Sequence, residues 1–208
     1  MDYKKLAEML FPDIKTTVSY YEDEVFPKRN LKEGSCVTRL GPSPTGFIHL
    51  GNLYGAFVDE RLAHQSEGVF MLRIEDTDEK RKVEGAVETI ITSLKFFGLN
   101  FDEGALIDGE KGNYGPYYQS NRVEIYKCFA KHLVEMGRAY PCFCSEEELE
   151  ETRKQQEAET VNTGYYGKWA KDRNITIEEV QAHLDKGDNF VMRFRSNGTM
   201  EGTFKITD

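Results

Sequence analysis

Two short stretches carry the residues best suited to chemistry. In the first, TRLGPSPTGFIHLGN, Arg39 precedes a proline- and glycine-rich run that ends in His49, Gly51 and Asn52. In the second, MLRIEDTDEKR, Arg73 leads into Glu75, Asp76, Asp78 and Arg81. Proline fixes φ and glycine opens positive φ, so the first run is a loop with an enforced path. A helix beginning near His49 aims its unpaired N–H groups, and the positive end of its dipole, at whatever lies above that loop. Such a terminus takes an anion, a phosphate above all. Gly46 and Gly51 let a flat or phosphorylated ligand come close to the backbone. Together the two stretches describe a nucleotide site with an acidic wall opposite.

The surrounding elements give these residues a place to meet. SCVTRL before the loop suits a short strand. After it, Leu53, Ala56, Phe57 and Ala63 recur at helical spacing. The nearly continuous apolar run from Val69 to Ile74 has the look of a buried parallel strand. Strand, helix and strand make a βαβ unit, so a parallel sheet is expected, with ligands outside the carboxyl ends of its strands. Taken singly, a loop histidine, a run of charges and a Pro/Gly turn each have an ordinary structural reading. Their order at two adjacent strand ends of one unit favours the functional one.

Further along, Val83, Val87, Ile90, Ile91, Leu94 and Phe97 predict an amphipathic helix stopped at Gly98. The turn-rich DEGALIDGEKGNYGPYY follows, and a domain boundary is placed near residue 105. Beyond it come a helix from about Asn121 to Met136, a strand in RAYPCFC, and two helices opened by Ser145 with Glu148 and by Thr176 with Glu179. Gly187 stops the last of these, and a hairpin is expected to turn at Asn197-Gly198. The first 34 residues read as a mostly helical lead-in with Leu6, Met9 and Leu10 on one face.

The 208 residues are enough for one large or two modest domains. Their net charge of −9 gives no global attraction for nucleic acid, which argues against a small dedicated DNA- or RNA-binding module. DNA is not an expected partner. No apolar run approaches the ~20 residues that span a bilayer, so a membrane is not expected either. MDYKKLAEMLF lacks a signal-peptide core, and the expected setting is cytoplasmic. Four cysteines, two of them in Cys142-Phe143-Cys144, do not read as a disulfide framework.

TRLGPSPTGFIHLGN followed by MLRIEDTDEKR resembles the bacterial-type glutamyl-tRNA synthetases of class I, and GPYYQSNR and RAYPCFCSEEELEETRKQQ follow the same family. His49-Leu50-Gly51-Asn52 stands where the HIGH signature belongs, with Asn52 in place of its second histidine. The resemblance begins near residue 35. It implies an α/β protein: the first half of a Rossmann-like parallel-sheet nucleotide fold over residues 35–104, then an inserted, incomplete α+β acceptor-binding (connective peptide) domain over 105–208. The implied chemistry is ATP-dependent activation of L-glutamate, with Mg2+, and transfer to the 3′ end of tRNA(Glu). On that resemblance His49, Gly51 and Asn52 are the catalytic signature. Pro44, Thr45, Gly46, His49 and Gly51 would bind ATP, with His49 on the phosphates and Gly51 making room for adenine. Arg39, Ser43 and Glu75 would bind glutamate, Arg39 through its carboxylate-matching fork and Glu75 through the α-ammonium group. Asp78 and Arg81 would meet the tRNA end.

Two features depart from the family pattern. A KMSKS-type lysine loop does not occur before Asp208, so the chain is expected to be an N-terminal fragment, inactive alone. Many bacterial relatives hold zinc through Cys-x-Cys and a later Cys-x-His. Here Trp169 and Lys171 stand where the later pair belongs, so no structural zinc is expected. The alternatives are a glutamyl-queuosine tRNA(Asp) synthetase paralogue and a non-catalytic RNA-binding derivative. An adenylyltransferase with a His-x-Gly-His motif is disfavoured by Asn52.

Overall fold

Asp2 opens the first helix, α1 (Tyr3–Leu10), by accepting from the Lys5 N–H at 3.0 Å, and Leu6, Ala7 and Leu10 bury its apolar face. A short helix α2 (Val18–Tyr20), capped by Thr17, runs into a π-helical turn at Tyr21–Val25. The computed structural model describes residues 1–46 and 48–196. The chain divides into two compact units, Thr16–Tyr126 and Met1–Lys15 with Lys127 onward. The lead-in is therefore not a body of its own, since its two parts belong to different units.

The first of these units is built on a sheet. Strand β1 (Val37–Leu40) is followed by helix α3 (Leu50–Gln65) and strand β2 (Val69–Leu72), with β1 and β2 parallel and Arg39 level with Met71. This is the βαβ unit expected from the sequence. Helix α4 (Ala86–Phe96) leads to β3 (Glu103–Leu106), parallel to β2, and β4 (Gly109–Lys111) turns back antiparallel on it; the sheet order is β1-β2-β3-β4. The core is Ala56, Ala63, Phe70, Leu72, Ile74, Ile90, Leu94, Leu99, Ala105 and Tyr117.

Several expectations change here. Ala105, near which the domain boundary was placed, lies inside β3: the glycine-rich stretch is a hairpin that extends the sheet. Gly104 permits this, because its φ of 150° and the Leu72 carbonyl, 2.5 Å from where a Cβ would sit, exclude a side chain. In β2, Phe70 and Leu72 are buried while Val69 and Met71 stay partly exposed, so only one face is fully covered. Phe57 is exposed on α3, one position round from the buried Ala56. Val83 precedes α4, which begins only after Gly85, its N-cap, in the left-handed region at φ 75°; the Val83 N–H donates instead to the Pro44 carbonyl at 2.9 Å.

The second unit contains α1 and continues from the helix α5 (Val123–Glu135), within which the division falls, to β5 (Ala139–Cys142), α6 (Glu146–Ala158), α7 (Ile177–Lys186) and β6 (Val191–Phe194). Strands β5 and β6 pair antiparallel, Ala139 level with Phe194. Both capping boxes form, Ser145 with Glu148 and Thr176 with Glu179, and Gly187 ends α7 at φ 76°. Lys131, nearly buried, donates to the Ile14 carbonyl at 2.9 Å and pairs with Glu8 at 2.7 Å, fastening the start of the chain to α5. The turn expected at Asn197-Gly198 lies outside the described residues.

Candidate active site

The loop after β1 and the acidic stretch after β2 run side by side. Three backbone bonds join them: Arg73 N–H to the Leu40 carbonyl at 3.0 Å, Glu75 N–H to Pro42 at 2.9 Å and Val83 N–H to Pro44 at 2.9 Å. Proline removes the loop's own donors at positions 42 and 44 but leaves both carbonyls to accept. The loop is thereby held against the second strand end.

That pairing brings Arg39 and Glu75 together, although 36 positions separate them in sequence. Arg39 Nη1 donates to Glu75 Oε1, and Arg73 Nη2 lies 3.5 Å from the same oxygen. Both partners of the Arg39–Glu75 pair remain partly exposed to solvent. Asp59, on α3, is a further acidic group near Arg39. Burial raises its carboxyl above the usual range, and the Arg39 charge works in the opposite direction. The sequence offered no signal for Asp59 beyond its place on the helix.

His49 is the N-cap of α3 and is exposed. The Asn52 side chain accepts from the His49 N–H at 3.1 Å, so Asn52 fixes the histidine backbone at the helix entry. A Cβ on Gly51 would come within 3.1 Å of the His49 ring; glycine lets that ring lie over the first turn. Ser43 is exposed, Pro44 buried, and Thr45 and Gly46 are half-buried in the loop. The site thus places a helix N-terminus, an imidazole and a guanidinium–carboxylate pair on one βαβ unit.

Asp76 has a different role from its neighbour. It is 7% exposed and accepts twice from Ser120, from the N–H at 2.9 Å and the hydroxyl at 2.8 Å. It ties the acidic strand end to QSNR. Asp78 and Arg81 bond each other, Arg81 Nε to Asp78 Oδ2 at 2.6 Å and its N–H to Oδ1 at 3.1 Å. The Arg81 side-chain bond holds the Asp78 carboxyl below the usual carboxylate range.

The second unit gathers Cys142, Cys144 and Asp172, whose ligand atoms lie within 4.8 Å of one another; Asp172 was not anticipated from the sequence. Asp172 Oδ2 is already engaged by the Phe143 N–H at 2.7 Å, and Cys144 Sγ lies 3.5 Å from the Tyr165 hydroxyl. Burial pushes the Cys144 thiol up to about 11, which keeps it protonated at neutral pH. Lys171 is paired with Glu148 at 3.2 Å, and Trp169 has no ligand atom for a metal. The Arg193 guanidinium stacks on the Tyr165 ring, 3.9 Å from its centroid, bringing a cation of the protein's own to the cluster. Among the described residues two sulfurs and a carboxylate already bonded to the Phe143 N–H make three donors, one short of a closed four-ligand zinc site.

Residues 35–208 match the family model described as tRNA synthetases class I (E and Q), catalytic domain. Over its whole length the chain is 77% identical to a glutamate–tRNA ligase of Acetivibrio thermocellus and 50% identical to one of Clostridium beijerinckii. It spans 38% of the length of each of these curated relatives. A crystal structure of a glutamate tRNA ligase from Elizabethkingia meningosepticum, in complex with its amino acid, superposes with a TM-score of 0.68 at 35% identity, over 76% of this chain and 32% of that one. Glutamate-tRNA synthetase from Elizabethkingia anophelis gives a TM-score of 0.69 at 34% identity, over 77% of this chain and 33% of the other. Among the described residues no helix is long and apolar enough to cross a membrane.

Proposed function

The chain belongs to the class I tRNA synthetases for glutamate and glutamine, and on that premise we propose that it serves the ATP-dependent ligation of L-glutamate to tRNA(Glu). The observation that carries this reading is the Arg39–Glu75 pair at adjacent parallel strand ends, with His49 at the entry of the helix that joins the two strands. A free amino acid with an extra carboxylate needs one cation and one anion at fixed spacing. Arg39 offers two parallel donors to a carboxylate, and Glu75 accepts from the α-ammonium group, with Ser43 as a further hydroxyl.

In activation, a glutamate α-carboxylate oxygen bonds to the α-phosphorus of ATP, and the bond from that phosphorus to the bridging oxygen breaks, releasing pyrophosphate. Negative charge builds on the phosphoryl oxygens. His49 and the first N–H groups of α3 would stabilise it without rearranging, since Asn52 holds the His49 backbone. Pro44, Thr45 and Gly46 would line the ATP side, and Gly51 would leave room for the adenine. Mg2+ would accompany the triphosphate, as it usually does where phosphates supply most of its ligands. In transfer, a hydroxyl of the terminal adenosine attacks the activated carbonyl and AMP leaves. Asp78 and Arg81 would meet the tRNA end, and the unit from Lys127 onward would serve as the acceptor-binding domain. A cytoplasmic setting goes with a role in translation.

Steady-state aminoacylation by the full gene product tests the assignment. Arg39→Ala should raise the glutamate requirement by about 10- to 100-fold, the equivalent of ~1.5–3 kcal/mol for a charge-assisted bond, while the ATP requirement changes little. An unchanged glutamate dependence would remove Arg39 from the site.

A further inference from the structure

The tail of the lead-in lies before the matched region, which begins at residue 35, yet it is bonded deeply into the sheet unit. Arg29 makes a two-pronged pair with Glu103 on β3, Nη1 to Oε1 at 2.6 Å and Nη2 to Oε2 at 2.7 Å. Both side chains are largely buried, at 16% and 15% exposure. The same guanidinium lies 3.6 Å over the centre of the Tyr114 ring, whose hydroxyl donates to the Pro27 carbonyl at 2.7 Å. Phe26 stacks on Tyr114 from the lead-in side.

Glu103 passes this anchorage on. The hydroxyl of Tyr117 donates to Glu103 Oε2 at 2.9 Å and accepts from the Tyr114 N–H at 3.0 Å. Tyr117 is 1% exposed, in the core of the unit. Its backbone pairs with the acidic strand end: Ile74 N–H donates to the Tyr117 carbonyl at 2.9 Å, and Gln119 N–H to the Ile74 carbonyl at 2.9 Å. Ser120 then holds Asp76. Glu75 therefore stands between two neighbours that are both fastened to segment 117–120. That segment is in turn fastened, through Tyr117 and Glu103, to Arg29.

We propose that Arg29 is a positioning residue for Glu75, so that the lead-in helps set the amino-acid end of the site from outside the family's matched region. Without the guanidinium, Glu103 is a mostly buried carboxylate with no cation beside it, held only by the Tyr117 hydroxyl. It must protonate or turn outward, and either change alters the acceptor that orients the tyrosine. Lysine keeps the charge but not the planar fork or the stacking, so it restores the arrangement only in part. The proposal rests on the reading of Glu75 as the partner of the substrate ammonium group.

The test pairs amide hydrogen exchange with glutamate kinetics in the full gene product carrying Arg29→Ala, Arg29→Lys or Tyr117→Phe. The expected result is faster exchange at Ile74, Gln119 and Ser120, with Val69, which bonds the Cys36 carbonyl, keeping its protection. The KM for glutamate should rise roughly 2- to 30-fold, the range of coupling carried through packed contacts, with kcat and the KM for ATP little changed. Arg29→Lys should fall between wild type and alanine. Tyr117→Phe leaves the Arg29–Glu103 pair in place and should reproduce the kinetic effect. Unchanged exchange at Ile74 and Gln119 in the Arg29 variants, or faster exchange with an unchanged KM for glutamate, would overturn the proposal. If Glu75→Gln itself leaves the glutamate KM unchanged, the ammonium-binding reading fails instead, whatever the exchange data show.

Discussion

Removing the Asp76 carboxylate should loosen the link between the acidic strand end and segment 117–120, by an amount the geometry allows one to work out. Asp76 is 7% exposed and accepts two bonds from Ser120, at 2.9 and 2.8 Å. Bonds to a charged group contribute about 1.5–3 kcal/mol each. Ser120 is itself exposed, so water can recover part of what its two donors lose. Asp76→Ala should therefore cost about 2–3 kcal/mol, nearer one such bond than two. Asp76→Asn should cost only ~1 kcal/mol, because its carbonyl can accept from the Ser120 N–H while its amide donates to the hydroxyl. Ser120→Ala removes the hydroxyl bond alone, so the double mutant with Asp76→Ala should cost less than the sum of the two singles. The single tryptophan, Trp169, lies in the other unit. Opening is therefore better followed by amide exchange at Gln119 and Ser120 than by fluorescence. Equal losses for alanine and asparagine, or strict additivity with Ser120→Ala, would refute the claim that Asp76 acts through Ser120.

Four further outcomes follow from the same geometry. Elemental analysis of dialysed protein should find far less than one zinc per chain; a stoichiometric zinc signal would mean that Cys142, Cys144 and Asp172 take up metal despite their present bonds. Alkaline titration should weaken both units. Burial is the main cause that holds Tyr117 up at about 12 and Cys144 at about 11, so their contributions are complete below the ordinary values of ~10 and ~8.5 and are lost as pH climbs to the raised ones. At the acid end the Arg29 pair holds Glu103 below the usual carboxylate range, so its contribution is complete above the ordinary value of ~4.3 and is lost as pH falls from there through the lowered value; an acid transition unchanged by Arg29→Ala would contradict this. Ile90→Ala, 2% exposed in the sheet unit's core, should cost about 2–5 kcal/mol in denaturant unfolding, and a loss under ~1 kcal/mol would mean that α4 packs less tightly than described.

What the sequence determined by itself was everything decided within a few residues or within one element. Proline and glycine at 42–46 set a loop's path through their own φ, while Ser145 with Glu148 and Thr176 with Glu179 set helix starts and Gly187 set a stop by bonding backbone groups three or four positions away. The βαβ order and the signature around His49 were legible for the same reason. The tertiary structure decided what depends on register and on burial. Nothing in the turn-rich DEGALIDGEK marked a strand, because a pairing to β2 outweighed weak local preference there. The meeting of Arg39 with Glu75 needed the parallel alignment of β1 with β2, and the three loop-to-strand bonds beyond it. Arg29 with Glu103, and Asp172 with Cys142 and Cys144, join residues that no periodicity relates. A side chain's spacing along the chain reports which face of an element it occupies, but only packing decides which distant charge that face will meet.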